Sequence, residues 1–313
     1  MKKYSILAIA LLFMACGEAD LYDQVDELQA NTTSASSTEE GDEQALERFQ
    51  YIAVIADTHI VLEDDLQARN LRAIGEVLTQ LPVQLLGVFI AGDIVFNLPY
   101  HTIEEYHNDP NDRFDIAQAI LEEFPAPCYL CIGNHDLAIE KGVPRQMTEQ
   151  LFMEHFGAAP YFSVDLGLWK FIILNNFHGP TQDPHHPSFD VQTGSLGQEQ
   201  REWLKRQLND GRPAILMSHF PPFIINDLSD IFEEYRHNIR LFLAGHSHGW
   251  ANLSNHFGVP SLIVGTSQLD EDTFMIMELD NKLKTWRIID WERFHWGSAY
   301  STPWDNSFIE PKE

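Results

Sequence analysis

Five times along the chain an apolar run stops and gives way to histidine, aspartate or asparagine. Residues 49–56 lead into Asp57-Thr58-His59, residues 85–91 into Gly92-Asp93, and residues 128–132 into Gly133-Asn134-His135-Asp136. Further on, residues 214–217 lead into Ser218-His219, and residues 239–244 into Gly245-His246-Ser247-His248. Apolar runs without alternation predict strands covered on both faces. Open α/β sheets place their ligands beyond the carboxyl ends of such strands, which is where these polar groups stand.

Between the runs the period changes. Leu66, Ile74, Val77, Leu78 and Leu81 mark a helical stripe within residues 65–81. Helices are also expected over 114–124, 145–155 and 198–208, the last with Trp203, Leu204 and Leu208 on one face. This alternation predicts βαβ units and a largely parallel first half. Residues 161–165 and 169–175 suggest a hairpin turning at Leu166-Gly167-Leu168. Segments 261–264, 274–279 and 284–289 are expected as strands of a second sheet. The loop over 176–197, with His178, His185 and His186, is long enough to suggest a function. Asn175, Asn176 and His178 are therefore candidates for a substrate rim.

The first residues read differently. Lys2 and Lys3 precede an apolar segment, 6–14, too short to span a bilayer but suited to a signal-peptide core. It runs into Ala15-Cys16-Gly17, which resembles a bacterial lipobox, with Phe13 where leucine is usual. Residues 1–15 are thus expected as a signal peptide, with Cys16 lipidated and holding the chain to a bacterial membrane on the periplasmic or cell-surface side. A plain secretory signal with a coincidental cysteine is the alternative. Residues 16–48 are acidic and polar, a disordered tether that cannot bury enough apolar surface to order itself. Residues 49–313 remain as the folded domain. Within it, Cys128 and Cys131 lie three strand steps apart, roughly 10 Å, and point to opposite faces. Core packing is the expectation for both.

Composition narrows the partners. The hydrophobic fraction, 44%, allows a sizeable core, while a net charge of -27 repels long nucleic acids and anionic membrane surfaces. A small phosphate ester stays compatible, because bound cations reverse the local field.

The residue types at the strand ends suit hard or borderline divalent cations: carboxylate, amide carbonyl and neutral imidazole. In an extended segment Asp57 and His59 would point to one side and pinch one ion. Asp93 could bridge two ions through its two oxygens, and a tight turn could send His246 and His248 to neighbouring ions. Two cations roughly 3.5–4 Å apart clamp a phosphoryl group and acidify water for displacement at phosphorus. Each motif alone has a plainer reading, since Gly-Asp commonly marks a turn and a histidine after a strand is usually structural. Their joint occurrence at strand ends points to a dinuclear site.

The series Asp57-x-His59, Gly92-Asp93, Gly133-Asn134-His135-Asp136, His219 and Gly245-His246-x-His248 resembles the calcineurin-like metallophosphoesterase superfamily, in its bacterial phosphodiesterase-like and phosphohydrolase branches. The likeness runs over about residues 52–266 and includes Ser195-Leu196-Gly197-Gln198-Glu199-Gln200 with the following Trp203-Leu204. It implies an α/β fold, a four-layer α-β-β-α sandwich of two mixed β-sheets flanked by helices. It implies one metal held by Asp57, His59 and His248, a second by Asn134, His219 and His246, and Asp93 between them. His135 would stabilise the phosphorane or protonate the leaving oxygen, and Asp136 would orient His135. Phe96 stands where purple acid phosphatases carry a tyrosine ligand, which argues against that branch.

The activity implied is metal-dependent hydrolysis of a small phosphodiester or phosphomonoester by direct attack of activated water. Two divalent ions, Mn, Fe or Zn, would serve as cofactors in a monomeric enzyme. Diesters are slightly favoured, since no arginine cluster stands ready for a dianion. A non-catalytic surface lipoprotein that binds metal or a phosphoester is the alternative from another class. A nuclease is a further one, opposed by the absence of a basic stripe.

Overall fold

A computed structural model of the chain describes residues 48–289, apart from 99, 139–144 and 271–272. The strands among these residues are β1 (Phe49–Ile55), β2 (Leu85–Ile90), β3 (Cys128–Leu130), β4 (Phe162–Leu166), β5 (Trp169–Ile173) and β6 (Ala214–Ser218). They continue with β7 (Ile239–Ala244), β8 (Ala251–His256), β9 (Val259–Ile263), β10 (Met275–Asp280) and β11 (Thr285–Ile288). The helices are α1 (Leu66–Thr79), α2 (Ile103–His107), α3 (Arg113–Leu121), α4 (Arg145–Phe156), α5 (Gly197–Leu208) and α6 (Ser229–Tyr235).

The strands form two mixed sheets, ordered β11-β10-β1-β2-β3 and β4-β5-β6-β7-β9-β8. In the first, β1, β2 and β3 run parallel while β10 pairs antiparallel with β1. In the second, β5, β6, β7 and β9 run parallel between antiparallel edge strands β4 and β8.

Strand pleating sorts the apolar runs into two cores. Ile52 and Val54 of β1 join Phe89, Phe171, Ile215, Met217, Leu241 and Leu243 between the sheets, where the Phe89 and Phe171 rings stack at 4.3 Å. Ala53 and Ile55, on the opposite face of β1, belong with Leu71, Ile74 and Leu78 of α1. Ile172, Leu216 and Phe242 of the second sheet likewise belong with Trp203 and Leu204 of α5 and Phe232 of α6. Both faces of each central strand are covered, so their sequences show no alternation. The result is two sheets flanked by helices, as expected.

Some elements depart from the sequence reading. β10 and β11 were expected in the second sheet, yet they complete the first, with registers Phe49↔Asp280 through Val54↔Met275. Only β9 of that trio joins the second sheet. Strand pattern fixes which face is buried but not which strand is the neighbour. Helices α2 and α6 and strand β8 escaped notice; α2 spans 5 residues and α6 spans 7, too few to build an apolar stripe. In α1 the buried face is Ala68, Leu71, Ile74, Gly75 and Leu78, and Leu66 and Val77 are exposed. Asn70 is buried there instead, its amide donating to the Ser267 carbonyl at 3.1 Å.

The two cysteines are unpaired and part as expected, Cys131 into the core between the sheets and Cys128 against the helix-side core. Burial pushes the Cys128 thiol up to about 12, and the Cys131 thiol upward as well, which leaves both inert. Cys16, the expected signal peptide, the expected tether up to residue 47 and the tail from residue 290 lie outside the described residues. Among the described residues no helix is long and apolar enough to cross a membrane.

Candidate metal centre

Because β1, β2, β3 run parallel, as do β6 and β7, each set of strands releases its polar residues at one edge. Backbone bonds carry the pairing into the loops beyond: Asp57 N–H donates to the Gly92 carbonyl at 3.1 Å and His59 N–H to that of Asp93 at 3.0 Å. Gly245 N–H reaches the His219 carbonyl at 3.0 Å and joins the β6 and β7 ends.

The loops turn in an unusual way. Asp57 (φ 54°), His59 (54°), Asp93 (53°), His246 (69°) and His248 (58°) all occupy the left-handed region. Non-glycine residues are uncommon there, aspartate and histidine less so than most, and each costs about 1 kcal/mol or more. Five strained positions among seven expected ligands identify the place where local stability has yielded to geometry. Asp57 and His59 therefore do converge, but through two left-handed turns rather than an extended segment. Thr58 between them faces away, its hydroxyl donating to the Ile94 carbonyl at 2.7 Å.

The side chains fall into two groups. In the first, His59 Nε2 and His248 Nε2 lie 3.7 and 3.5 Å from Asp57 Oδ1. In the second, Asn134 Oδ1 lies 2.9 Å from His219 Nε2 and 3.1 Å from His246 Nδ1. His246 and His248, two residues apart, thus part to different groups. Asp93 stands between the groups, with Oδ2 3.1 Å from His219 Nε2 and 3.7 Å from His59 Nε2. The same oxygen faces both sides, while Oδ1 accepts the His135 backbone N–H at 2.8 Å. That bond uses one lone pair of Oδ1, so the bridging through both Asp93 oxygens expected from sequence stays compatible with the geometry.

The set fits divalent cations on the evidence of its own unsatisfied atoms. Both ring nitrogens of His59 and Asp93 Oδ2 are buried without a hydrogen bond. Such atoms are costly unless something else is bound there. His219 is already oriented for the role: its Nδ1–H donates to the Ala91 carbonyl at 2.9 Å and turns Nε2 inward. Glycines make room, since a Cβ on Gly133 would strike the amide and carboxylate of Asp93, and one on Gly245 would lie 2.6 Å from Asp57 Oδ2.

Charges tell the same story. Burial works to raise the Asp57 carboxyl, yet the His248 and His59 imidazoles beside it hold it well below the usual carboxylate range. Asp93 is also held low, against its burial, by His219. Burial would discharge His219, but the Asp93 and Asp57 carboxylates push it up to about 9. Burial and the charge of His219 together drive His246 down to about 4. Two buried carboxylates therefore create a field that demands positive charge, and bound cations answer it with the imidazoles neutral.

His135 is adjacent but differently placed. Its Nδ1 lies 3.1 Å from Asn97 Oδ1, an acceptor, so Nδ1 carries the proton of that bond and chemistry falls to Nε2. Its ring stacks on Phe96 at 4.8 Å and meets the edge of His59 at 4.8 Å.

Asp136 does not have the expected role. Its oxygens accept from the amides of Ile94 (2.8 Å), Val95 (3.0 Å) and Gly133 (2.8 Å), and Asn97 holds the imidazole in its stead. Burial, followed by the Asp93 charge, pushes its carboxyl up to about 7. Asp136 is a clasp binding the Gly92-Asp93 loop to the Gly133 turn. Replacing Asp136 with asparagine sets an N–H against one of those buried N–H groups. We expect a loss of about 2–3 kcal/mol in urea denaturation. A change below about 0.5 kcal/mol would show that the clasp is dispensable.

The proposed rim residues fare unevenly. Asn175 and His178 are drawn to Glu149 of α4, His178 Nε2 lying 2.6 Å from its carboxylate, while Asn175 Oδ1 accepts from Phe177 N–H at 2.9 Å. Both are tied into the scaffold. Asn176 is also buried, its Oδ1 accepting from Phe220 N–H at 2.8 Å, next to His219, so it supports a ligand loop. The long loop folds on itself around a short 3-10 turn, Pro180–Gln182, and Ser195. Of its histidines, which had suggested substrate contact, His178 is held by Glu149, while His185 and His186 are exposed.

Residues that sequence reasoning passed over complete the site. Asn97 holds His135, Thr266 Oγ1 donates to the Asp57 carbonyl at 2.8 Å, and Gln268 Nε2 lies 3.1 Å from His248 Nδ1. Asn97, four positions past Asp93, carried a weak signal as a polar residue after an apolar run. The other two carried none.

Comparison with known proteins agrees. Among solved structures the chain is similar to a dimetal phosphatase from Danio rerio, at 14% identity and TM-score 0.54, covering 74% of this chain and 93% of that one. It is similar also to a purple acid phosphatase from yellow lupin (Lupinus luteus) seeds, at 14% identity and TM-score 0.51, covering 79% of this chain and 52% of that one. At such identity the likeness is one of fold. No curated protein matches the chain in sequence. The family model described as calcineurin-like phosphoesterase matches residues 51–250, all five strand-end motifs included, and the chain belongs to that family.

Proposed function

We propose that the chain is a hydrolase of small phosphoric esters that works with two divalent cations, Mn, Fe or Zn, and favours diesters over monoesters. The observation that carries this reading is the pair of donor groups sharing Asp93, with His135 beside them but held by Asn97. Asp57, His59 and His248 would hold one ion, Asn134, His219 and His246 the other, and Asp93 would serve both. Divalent cations supply Lewis acidity at phosphoryl oxygens and generate a nucleophile from water at neutral pH.

The remaining work falls to the chain. The water oxygen forms the new bond to phosphorus while the bond to the alcohol oxygen breaks, with no enzyme ester between. His135 Nε2 is placed to pass a proton to the departing oxygen, while Asn97 and Phe96 fix the ring plane. The water's proton leaves to solvent. A diester suits the charges better than a dianionic monoester. The Arg113 guanidinium is engaged by the carbonyls of Phe96 and Asn97, and Arg145 by those of Phe177 and Gln182. Neither is offered as a fork to a phosphate dianion. The lipobox-like Ala15-Cys16-Gly17 supports a place outside the cytoplasm, tethered to a bacterial membrane.

The direct test takes the full chain, strips it with a chelator, reloads it with Mn²⁺, and supplies bis-p-nitrophenyl phosphate or p-nitrophenyl phosphate. Turnover should vanish on chelation and return on reloading, with kcat/KM higher for the diester. A higher value for the monoester reverses the preference. Metal-loaded, folded protein that turns over neither ester would leave the binding-lipoprotein reading in its place.

A further inference from the structure

A large apolar ring stands in the open beside the proposed acid. Phe96 is 42% exposed, although it sits between two buried elements of the site. Its N–H donates to the Ile60 carbonyl at 3.0 Å, and its own carbonyl accepts from Arg113, so the backbone is fixed on both sides. The next residue, Asn97, is left-handed at φ 45° and binds His135. One face of the Phe96 ring lies against the His135 imidazole, with planes 22° apart, and His59 tilts toward it at 5.5 Å.

A fixed, half-exposed phenylalanine costs apolar burial unless something covers it. Packing does not require that size there, since the contact with His135 uses one face only. Two further exposed apolar side chains follow site residues closely along the chain. Leu62 follows the Ile60 loop that binds Phe96, and Leu269 follows Gln268, which touches His248. An enzyme that only hydrolysed a bare polar ester would have no use for this rim.

We propose that Phe96 is the floor of a substrate subsite that takes a planar ring of the leaving alcohol; this rests on the phosphodiesterase reading above. Spacing narrows the alcohol. A ring stacked on the open face of Phe96 lies about 9–12 Å from the imidazole centroid, the 4.8 Å of the existing pair plus a second ring interval of ~4.5–7 Å. The departing oxygen must lie within about 3 Å of His135 Nε2. A ring bonded directly to that oxygen falls short, whereas one carried several bonds away reaches. A nucleoside has this form, a flat base set across its sugar from the 5′ oxygen. In the reaction, water oxygen joins phosphorus, the P–O5′ bond breaks, O5′ takes the proton from His135, and the nucleoside departs.

The test compares two diesters differing only in the ring: adenosine 5′-methyl phosphate and its abasic counterpart, ribose 5-methyl phosphate. The full-length, Mn²⁺-loaded protein is used as wild type, Phe96→Ala and Phe96→Trp, with released adenosine or ribose measured by chromatography. The readout is the ratio of kcat/KM for the two substrates, because any loss acting through His135 lowers both alike. A ring preference of about 10-fold in wild type should fall to about 1 in Phe96→Ala and return in Phe96→Trp. An equal ratio in wild type and Phe96→Ala overturns the subsite and leaves Phe96 as a buttress for His135. Release of methanol in place of adenosine overturns the leaving-group assignment. Should wild type hydrolyse neither ester, the phosphodiesterase reading fails by itself. Calorimetric binding of the two esters then judges the subsite: a ring preference removed by Phe96→Ala sustains it, and equal binding ends it.

Discussion

Asp93→Ala should reduce turnover at least ~10³-fold and lower bound metal, read by mass spectrometry, to one ion or fewer per chain. The size of the effect follows from position. Asp93 Oδ2 faces both donor groups, and Oδ1 fixes the backbone of His135. Alanine removes the shared ligand and frees the acid loop at once. Asp93→Asn separates these roles, since an amide oxygen can still accept from His135 N–H while the charge is lost. It should bind metal nearly as poorly as alanine. Without metal it should melt no lower than wild type, because buried Asp57 and Asp93 repel each other. What it should lose is the rise in Tm on adding Mn²⁺. Full metal content and activity within tenfold of wild type in Asp93→Ala would remove Asp93 from the centre of the site.

The sequence made the ligand set legible because two different constraints coincide at the strand ends. Strands buried on both faces read as unbroken apolar runs, and the chemistry starts where they stop. Asp57, His59, Asp93, Asn134, His219, His246 and His248 could all be found from that boundary, and the structure gathers them. Roles were harder to read than identities. The Asp93 bridge and the turn at Asp57-Thr58-His59 depend on left-handed backbone that no spacing rule reports. Asp136 looked like a partner for the adjacent imidazole, but a carboxylate at a strand end can serve three backbone amides more cheaply than one ring. Asn97 took the imidazole because the loop after β2 crosses beside it, a consequence of sheet order.

The same limit explains the misplaced strands and rim. β10 follows β9 in sequence yet lies next to β1, far from it along the chain. Its apolar run said that it would be buried, not beside what. Asn175 and His178 sit just past β5 and share the look of the true ligands, but α4 presents Glu149 to them. A polar residue after a strand is a candidate only until its neighbours across the fold are known. Phe96 shows the converse case. Read as the loss of a tyrosine ligand, it becomes in three dimensions a gain, an exposed ring against the acid.

His135→Ala should lower kcat by about 10²–10⁴-fold while metal content and KM stay near wild type. The imidazole lies outside both donor groups proposed to hold metal; it meets the edge of His59, and its hydrogen bond to them is the backbone N–H to Asp93, which alanine retains. Its Nδ1 is engaged by Asn97, so the lost function is that of Nε2. Two actions are open to that nitrogen, and leaving groups tell them apart. If Nε2 protonates the departing oxygen, the loss will be severe for an alkyl diester and mild for bis-p-nitrophenyl phosphate, whose phenolate departs unaided. If it only stabilises charge on the phosphoryl oxygens, both substrates will lose rate by the same factor. We expect the first pattern, since the structure ties the ring plane to Phe96 and Asn97, a restraint that a proton transfer of fixed direction requires. A loss under tenfold for the alkyl diester would move the acid to another residue.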